Sequence, residues 1–136
     1  MAIDNAEALS RVPLLSGLDS KQLNALARSF TERTFPADSV VVKEGDERGI
    51  GFFVITDGRA RVTLKGEELD TLGPSDHFGE IALIGDRVRT ATVTAETDLS
   101  TLVTTVWEFR AFVQNDPDVA WKLLEHLVEL IQDMQS

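Results

Sequence analysis

The chain of 136 residues contains no cysteine. That absence removes disulfides, thiol nucleophiles and thiolate metal sites, and it agrees with a reducing compartment. Histidine is nearly absent too, with only His77 and His126 in the sequence. A metal site usually draws on three or four ligands, and His77 with Glu80 supplies two, so metal catalysis is not expected. Positive charge is also scarce: 13 Lys and Arg face 23 Asp and Glu, for a net charge of -10. A surface that binds nucleic acid must neutralise phosphates with clustered Lys and Arg, and here the basic residues are scattered. No apolar run approaches the roughly 18 residues of a membrane span. The N-terminus MAIDNAEALS has neither a basic n-region nor an apolar h-region, so a cytoplasmic location is expected and membrane partners are not. Neither a GxSxG elbow nor a P-loop with its terminal Lys-Ser or Lys-Thr occurs.

What remains has the composition of a folded domain, with 43% hydrophobic and 26% charged residues. The length suits one domain and not two. Its pattern changes character twice. From Ala2 to Phe30 it is helical: Leu9 precedes a break at Val12-Pro13, and Asp19 or Ser20 then caps a segment with Leu23, Leu26, Ala27 and Phe30 at spacings of three and four. A β region follows, in SVVVKEG, GFFVITDG, ARVTLKG, ELDTLG and RTATVTAETDLSTLV, with Lys65-Gly66-Glu67 as a hairpin tip. Short strands punctuated by turn residues indicate a sandwich or a small barrel.

Helix returns at the C-terminus. Thr105 and Glu108 have capping-box spacing, and Asp116-Pro117 pairs an N-cap with proline at the first helical position. The last segment carries Val119, Leu123, Leu124, Leu127, Val128, Leu130, Ile131 and Met134. A stripe this wide suits packing on the β region, pairing with another subunit or closing over a ligand, and periodicity does not choose among these. The expected boundaries are helices over 1–33, strands over 34–104 and helices over 105–136. Packing is the expected role of Trp107 and Trp121, with stacking on a purine as the alternative.

The most informative run is FGEIALIGDRVRTATV, Phe78 to Val93. Gly79 lets backbone approach a ligand, and Glu80 to Ile84 can form one helical turn whose free amides point at negative charge. Arg89 adds a guanidinium fork suited to phosphate oxygens, whereas Glu80 would repel them. The ligand therefore needs an anionic group and a neighbouring hydroxyl or amine. Taken singly, Glu80 reads as a solvated acid and Arg89 as a surface charge. Their joint register between two strand-like segments is what points to a site. Arg87 reads as a loop charge.

The helix–β–helix order and this run resemble the cyclic-nucleotide-binding domain family, found in protein kinase A regulatory subunits, nucleotide-gated channels and the catabolite activator protein. The likeness covers nearly the whole chain. Its most specific part is Phe78, Gly79, Glu80, Ile81, Ala82 and Leu83, then Arg89, Thr90, Ala91 and Thr92, supported by VPLLSGL, VVVKEGD and FFVITDG with Gly58 closing a strand. One departure is GDERGIGFFVITDG, Gly45 to Gly58, one residue longer than the usual spacing and with Gly51 where an apolar residue is common.

The resemblance implies an α+β fold, in which a β-roll (a jelly-roll-like antiparallel sandwich) is flanked by N-terminal and C-terminal helices that move on binding. It implies that Glu80 accepts a hydrogen bond from the ribose 2′-hydroxyl. Arg89 would hold the exocyclic phosphate oxygens, and the amides of Ala82 and Thr90 would complete the phosphate cage. The base would rest on Val62 and Leu64. Thr90 resembles guanosine-preferring kinases, yet bacterial-type domains with a small hydroxyl residue there also take adenosine; cyclic AMP is favoured over cyclic GMP.

The expected function is a non-catalytic sensor with no resident cofactor beyond its nucleotide ligand. Its output partner is a protein or a second copy bound through the C-terminal helix. The rival is a protein interaction module with a vestigial pocket. A cupin-like enzyme lacks its histidines, and a transcription factor would need a helix-turn-helix that this sequence does not contain. The chain is expected to be a domain of a longer channel, kinase or transporter, or, from its starting Met, a whole small protein.

Overall fold

The computed structural model describes residues 5–43, 45, 51–78 and 91–135. Strands rich in Val, Thr and Phe occupy the middle of the chain: β1 (Thr31–Phe35), β2 (Val40–Val42), β3 (Gly51–Asp57), β4 (Ala60–Leu64), β5 (Glu67–Leu72), β6 (His77–Phe78), β7 (Thr92–Ala95) and β8 (Leu99–Thr105). They pair antiparallel in two sheets, ordered β1-β8-β3-β6 and β2-β7-β4-β5. Two facing sheets with such crossovers form a jelly-roll sandwich, which agrees with the expected α+β class.

β3 explains why the roll and the helices form one body. Residues Gly51 to Ile55 are all buried, so this strand has no solvent face. Its side chains alternate between two cores. Phe53 and Ile55 point between the sheets, where they join Ala60, Phe78, Val93, Ala95 and Leu99. Phe52 and Val54 point the other way, to Leu9, Leu15, Leu26, Leu102, Phe109, Val119 and Leu123. β8 lies beside it in register, from Gly51↔Thr105 to Ile55↔Thr101, and divides in the same way.

The helices begin where local chemistry starts them. In α2 (Ser20–Ala27) the Asp19 carboxylate accepts from the Gln22 amide at 2.8 Å, and the Gln22 side-chain oxygen accepts from the Asp19 amide at 3.1 Å. This is the reciprocal capping box. α1 (Asn5–Ser10) and a 3-10 turn at Pro13–Leu15 precede it. α3 (Val106–Asn115) starts at Thr105, whose hydroxyl oxygen accepts from the Glu108 amide at 3.2 Å. The Glu108 carboxylate accepts from that hydroxyl at 3.1 Å, so this cap closes through the side chain. α4 (Pro117–Gln135) has proline in its first turn, and the Asp116 carboxylate accepts from the Asp118 amide at 3.2 Å.

Several boundaries differ from the sequence reading. α2 ends at Ala27, and β1 begins at Thr31, ahead of the expected start at Thr34. Phe30 keeps the helical spacing because its ring meets Phe52 edge-on at 6.1 Å, from a turn and not from a helix. The run RTATVTAETDLSTLV splits into β7 and β8 at Glu96-Thr97-Asp98 and crosses from one sheet to the other. Trp107 and Trp121, expected to pack, are 53% and 64% exposed. The β4–β5 tip is as expected: Lys65 at φ 53° and Gly66 at φ 81° form a type I′ turn between Leu64 and Glu67.

Gly58 makes the β3–β4 turn with φ 88°. A Cβ there would overlap the Asp98 carbonyl oxygen and lie 2.9 Å from the Thr97 hydroxyl, which itself accepts from the Arg59 amide at 3.0 Å. Strained backbone and a clash with another main chain act together. Gly58→Ala is expected to cost about 3 kcal/mol. Urea unfolding should show a lower midpoint at an unchanged slope, and an unaltered midpoint would reject this account.

Candidate functional site

The inner face of the second sheet carries the described part of the candidate site. β4 pairs with β7 as Ala60↔Ala95, Val62↔Val93 and Thr63↔Thr92. Ala60, Val93 and Ala95 are buried between the sheets and Val62 packs against them, so this face looks inward. Leu64 follows two positions on along the same face and is 37% exposed, at the hairpin end of β4. Ala91, just before β7, is half-buried. The two residues expected to support the base, Val62 and Leu64, thus form a graded apolar surface from interior to mouth.

Phe78 lies on the other sheet. In β6 it pairs with Phe53, and the two rings stack with centroids 4.7 Å apart and planes 8° from parallel. It is 7% exposed and belongs to the interior core. The informative run therefore leaves the first sheet at Phe78 and rejoins the second near Ala91. Gly79, Glu80, Ile81, Ala82, Leu83, Arg89 and Thr90 lie outside the described residues, so the phosphate and ribose assignments stand on the sequence. His77, read as a strand-end residue, is in β6 with its ring 5.6 Å from that of Phe52, on the helical side. Among the described residues no group of His, Asp and Glu could hold a metal ion. No helix of the described residues is long and apolar enough to cross a membrane.

Two features were not visible in the sequence reading. One is Asp70, which the β4–β5 register sets opposite Val62. The other is a polar latch between the N-terminal and C-terminal helices. Gln22 is 7% exposed; its amide nitrogen donates to Asp118 at 2.9 Å and to Asp116 at 3.3 Å, and its oxygen accepts from Lys122 at 2.9 Å. Lys122 also pairs with Asp118 at 3.2 Å. These contacts join residues far apart in sequence, and only the capping role of Gln22 could be read locally.

Beyond the latch α4 is two-sided. Val119 and Leu123 are buried, whereas Trp121, Leu124, Val128, Ile131 and Met134 are each more than half exposed. Between α3 and α4 runs an apolar groove of about 420 Å³, lined by Phe109, Val113, Leu123, Leu124 and Leu127. The sequence showed the stripe, and the structure shows which half of it the body covers.

A cyclic nucleotide-binding domain model matches residues 32–116. The cAMP-dependent protein kinase regulatory subunit of Yarrowia lipolytica is 44% identical over 93 residues, 67% of this chain and 24% of that protein. The chain thus spans about a quarter of the length of that relative. The crystal structure of the N-terminal domain of a transcriptional regulator from Streptomyces coelicolor A3(2) superposes with a TM-score of 0.84 at 30% identity, covering 93% of this chain and 94% of that one. The cAMP-bound PfPKA-R (141–441) superposes with a TM-score of 0.74 at 25% identity, covering 92% and 45% respectively. The chain belongs to the cyclic nucleotide-binding domain family.

The latch makes a pH prediction. Hydrogen bonds from Gln22 and Lys122, with the Lys122 charge, hold the Asp118 carboxyl below its usual range, and these outweigh the opposing effect of burial. A carboxylate with a lowered folded pKa adds stability that is present above its unfolded value and lost as pH falls through the folded one. Because its side chain is 61% exposed, the effect is small. Asp118→Asn should lower the melting temperature at neutral pH, and the gap from wild type should close on acidification below about pH 4. A gap that stayed constant would show that ionisation of Asp118 contributes nothing.

Proposed function

We propose that this domain is a non-catalytic, cytoplasmic sensor that binds a cyclic nucleotide, cyclic AMP in preference to cyclic GMP, at the open end of the roll. The observation that carries the reading is the family match over residues 32–116, together with a chain run that leaves one sheet at Phe78 and rejoins the facing sheet at Ala91. The inner face of the second sheet carries Val62, with Leu64 two positions further along the same strand, an apolar surface suited to a flat base. Arg89 would then pair with the exocyclic phosphate oxygens, the amides of Ala82 and Thr90 would complete the cage, and Glu80 would accept from the 2′-hydroxyl. A cyclic 3′,5′-phosphate leaves that hydroxyl free beside the anion, so one ligand uses both side chains. The adenine preference draws support from the kinase regulatory subunit relative, named as cAMP-dependent, and from the cAMP-bound structural neighbour.

The relay would run through α3 and α4. Ligand contacts that differ between two arrangements are what shift an equilibrium. The exposed stripe of α4 is the natural output face, for a protein partner or a second copy of the chain. A distance between labels on α2 and on the last turns of α4 should change when cyclic AMP is added. An unchanged distance distribution would remove the relay.

For the pocket, calorimetry with cyclic AMP, cyclic GMP and 5′-AMP tests phosphate geometry and base choice together. Arg89→Ala is expected to weaken cyclic nucleotide binding by about 2–5 kcal/mol, since it leaves a desolvated phosphate without its partner. Glu80→Ala should cost less and relax the discrimination between ribose and deoxyribose. Wild-type affinity in the Arg89 variant would remove the phosphate assignment.

A further inference from the structure

We infer that Asp70 reads the edge of the bound purine, accepting a hydrogen bond from the 6-amino group of adenine; this rests on the cyclic-nucleotide reading above. The argument starts from the β4–β5 hairpin. Its tip pairs Leu64 with Glu67 and then Thr63 with Glu68. A regular ladder would next set Val62 opposite Leu69, turning an apolar side chain to the interior and Asp70 to solvent. The register instead shifts between Val62 and Thr63, so that Val62 faces Asp70, Arg61 faces Thr71 and Ala60 faces Leu72. Ala60, Val62 and Leu72 belong to the inward face, and directly opposed residues of an antiparallel pair share a face.

The bulge thus sets Asp70, itself exposed, at the position opposite Val62 that a regular ladder would give to Leu69, which is 57% exposed. Setting an acid opposite Val62, where a regular ladder would set a leucine, breaks the binary pattern, and such breaks concentrate at sites that bind something. The carboxylate is also held. Its Oδ1 accepts from the Thr71 amide at 2.8 Å, which leaves Oδ2 as an acceptor on the strand paired with that of Val62 and Leu64. A base lying on those two residues would present its edge to that oxygen. An ionised carboxylate only accepts, so it selects an edge that donates, and the 6-amino group of adenine does so.

The test compares cyclic AMP with its 6-unsubstituted purine analogue, which has the same ring, ribose and phosphate without the amino group. Wild-type protein should bind cyclic AMP about tenfold more tightly than the analogue, the worth of one hydrogen bond to a charged acceptor. In Asp70→Ala that preference should vanish. Asp70→Asn keeps an oxygen for the Thr71 amide but turns an NH2 group toward the base, so it should lose the preference as well. Thermal melting of both variants checks that the hairpin is intact. An undiminished preference in the folded Asn variant would overturn the role of Asp70. If wild-type protein bound neither nucleotide, the cyclic-nucleotide reading itself would fall.

Discussion

The burial of β3 on both faces is the constraint on which the rest of the structure depends. Its odd residues fill the roll and its even residues hold the helices, so neither core can be assembled without the other. β8 is bonded along one edge and β6 along the other, which fixes the strand laterally as well. Shifting such a strand would break two ladders and open cavities in two cores, at several kcal/mol for each large side chain exposed. Movement is confined to elements with less at stake. α4 fits that description: its first turns are fastened by Gln22, Val119 and Leu123, whereas from Val128 to Gln135 every side chain that is described is exposed. Low local burial is the physical content of a movable element.

In the proposed sensor that division would also locate a pivot. The Gln22 amide holds Asp116 and Asp118 at the α3–α4 junction, and Lys122 joins the same cluster one turn later. A rotation of α4 about this cluster would preserve the polar contacts while displacing the distal turns. A translation would strand a buried glutamine, whose unmet hydrogen bonds would cost about 1–3 kcal/mol. The sensor reading is therefore easiest to satisfy by a swing of α4 and hardest to satisfy by a slide.

Much of this was legible in the sequence because the signals are local. Asp19 with Gln22, Asp116 with Pro117, and Lys65 with Gly66 each carry their own geometry within four residues, and the structure has a cap or a turn at each. Phe30 misled because a residue beyond a helix can keep its phase when its ring packs on the same core. The tryptophans are more exposed than expected, at 53% and 64%, because size alone does not bury a side chain. The β4–β5 bulge could not be read at all: the one-residue slip that sets Asp70 opposite Val62 leaves composition and hydrophobic periodicity unchanged. The same holds for the latch, since nothing near Gln22 in the sequence announces Lys122. The Phe78 to Val93 run could be singled out for the opposite reason, because its residues lie close together along the chain, and its stretch from Gly79 to Thr90 lies outside the described residues.

An acidic chain proposed to capture an anion needs an electrostatic account. The net charge of -10 repels a phosphate at long range, but at physiological ionic strength that field is screened within about 8 Å. Inside that distance the single guanidinium and the backbone amides of the proposed site would dominate, provided that the ligand is small enough to meet them alone. A polyanion extends beyond the screened zone and meets the acidic surface over its whole length. The same asymmetry bears on Asp70. In the proposed site its carboxylate would add repulsion for a second phosphate while remaining acceptable to an uncharged base edge that donates. In the proposed site charge would therefore discriminate twice, with cationic and amide donors gathered where the phosphate sits and an acid where the base ends.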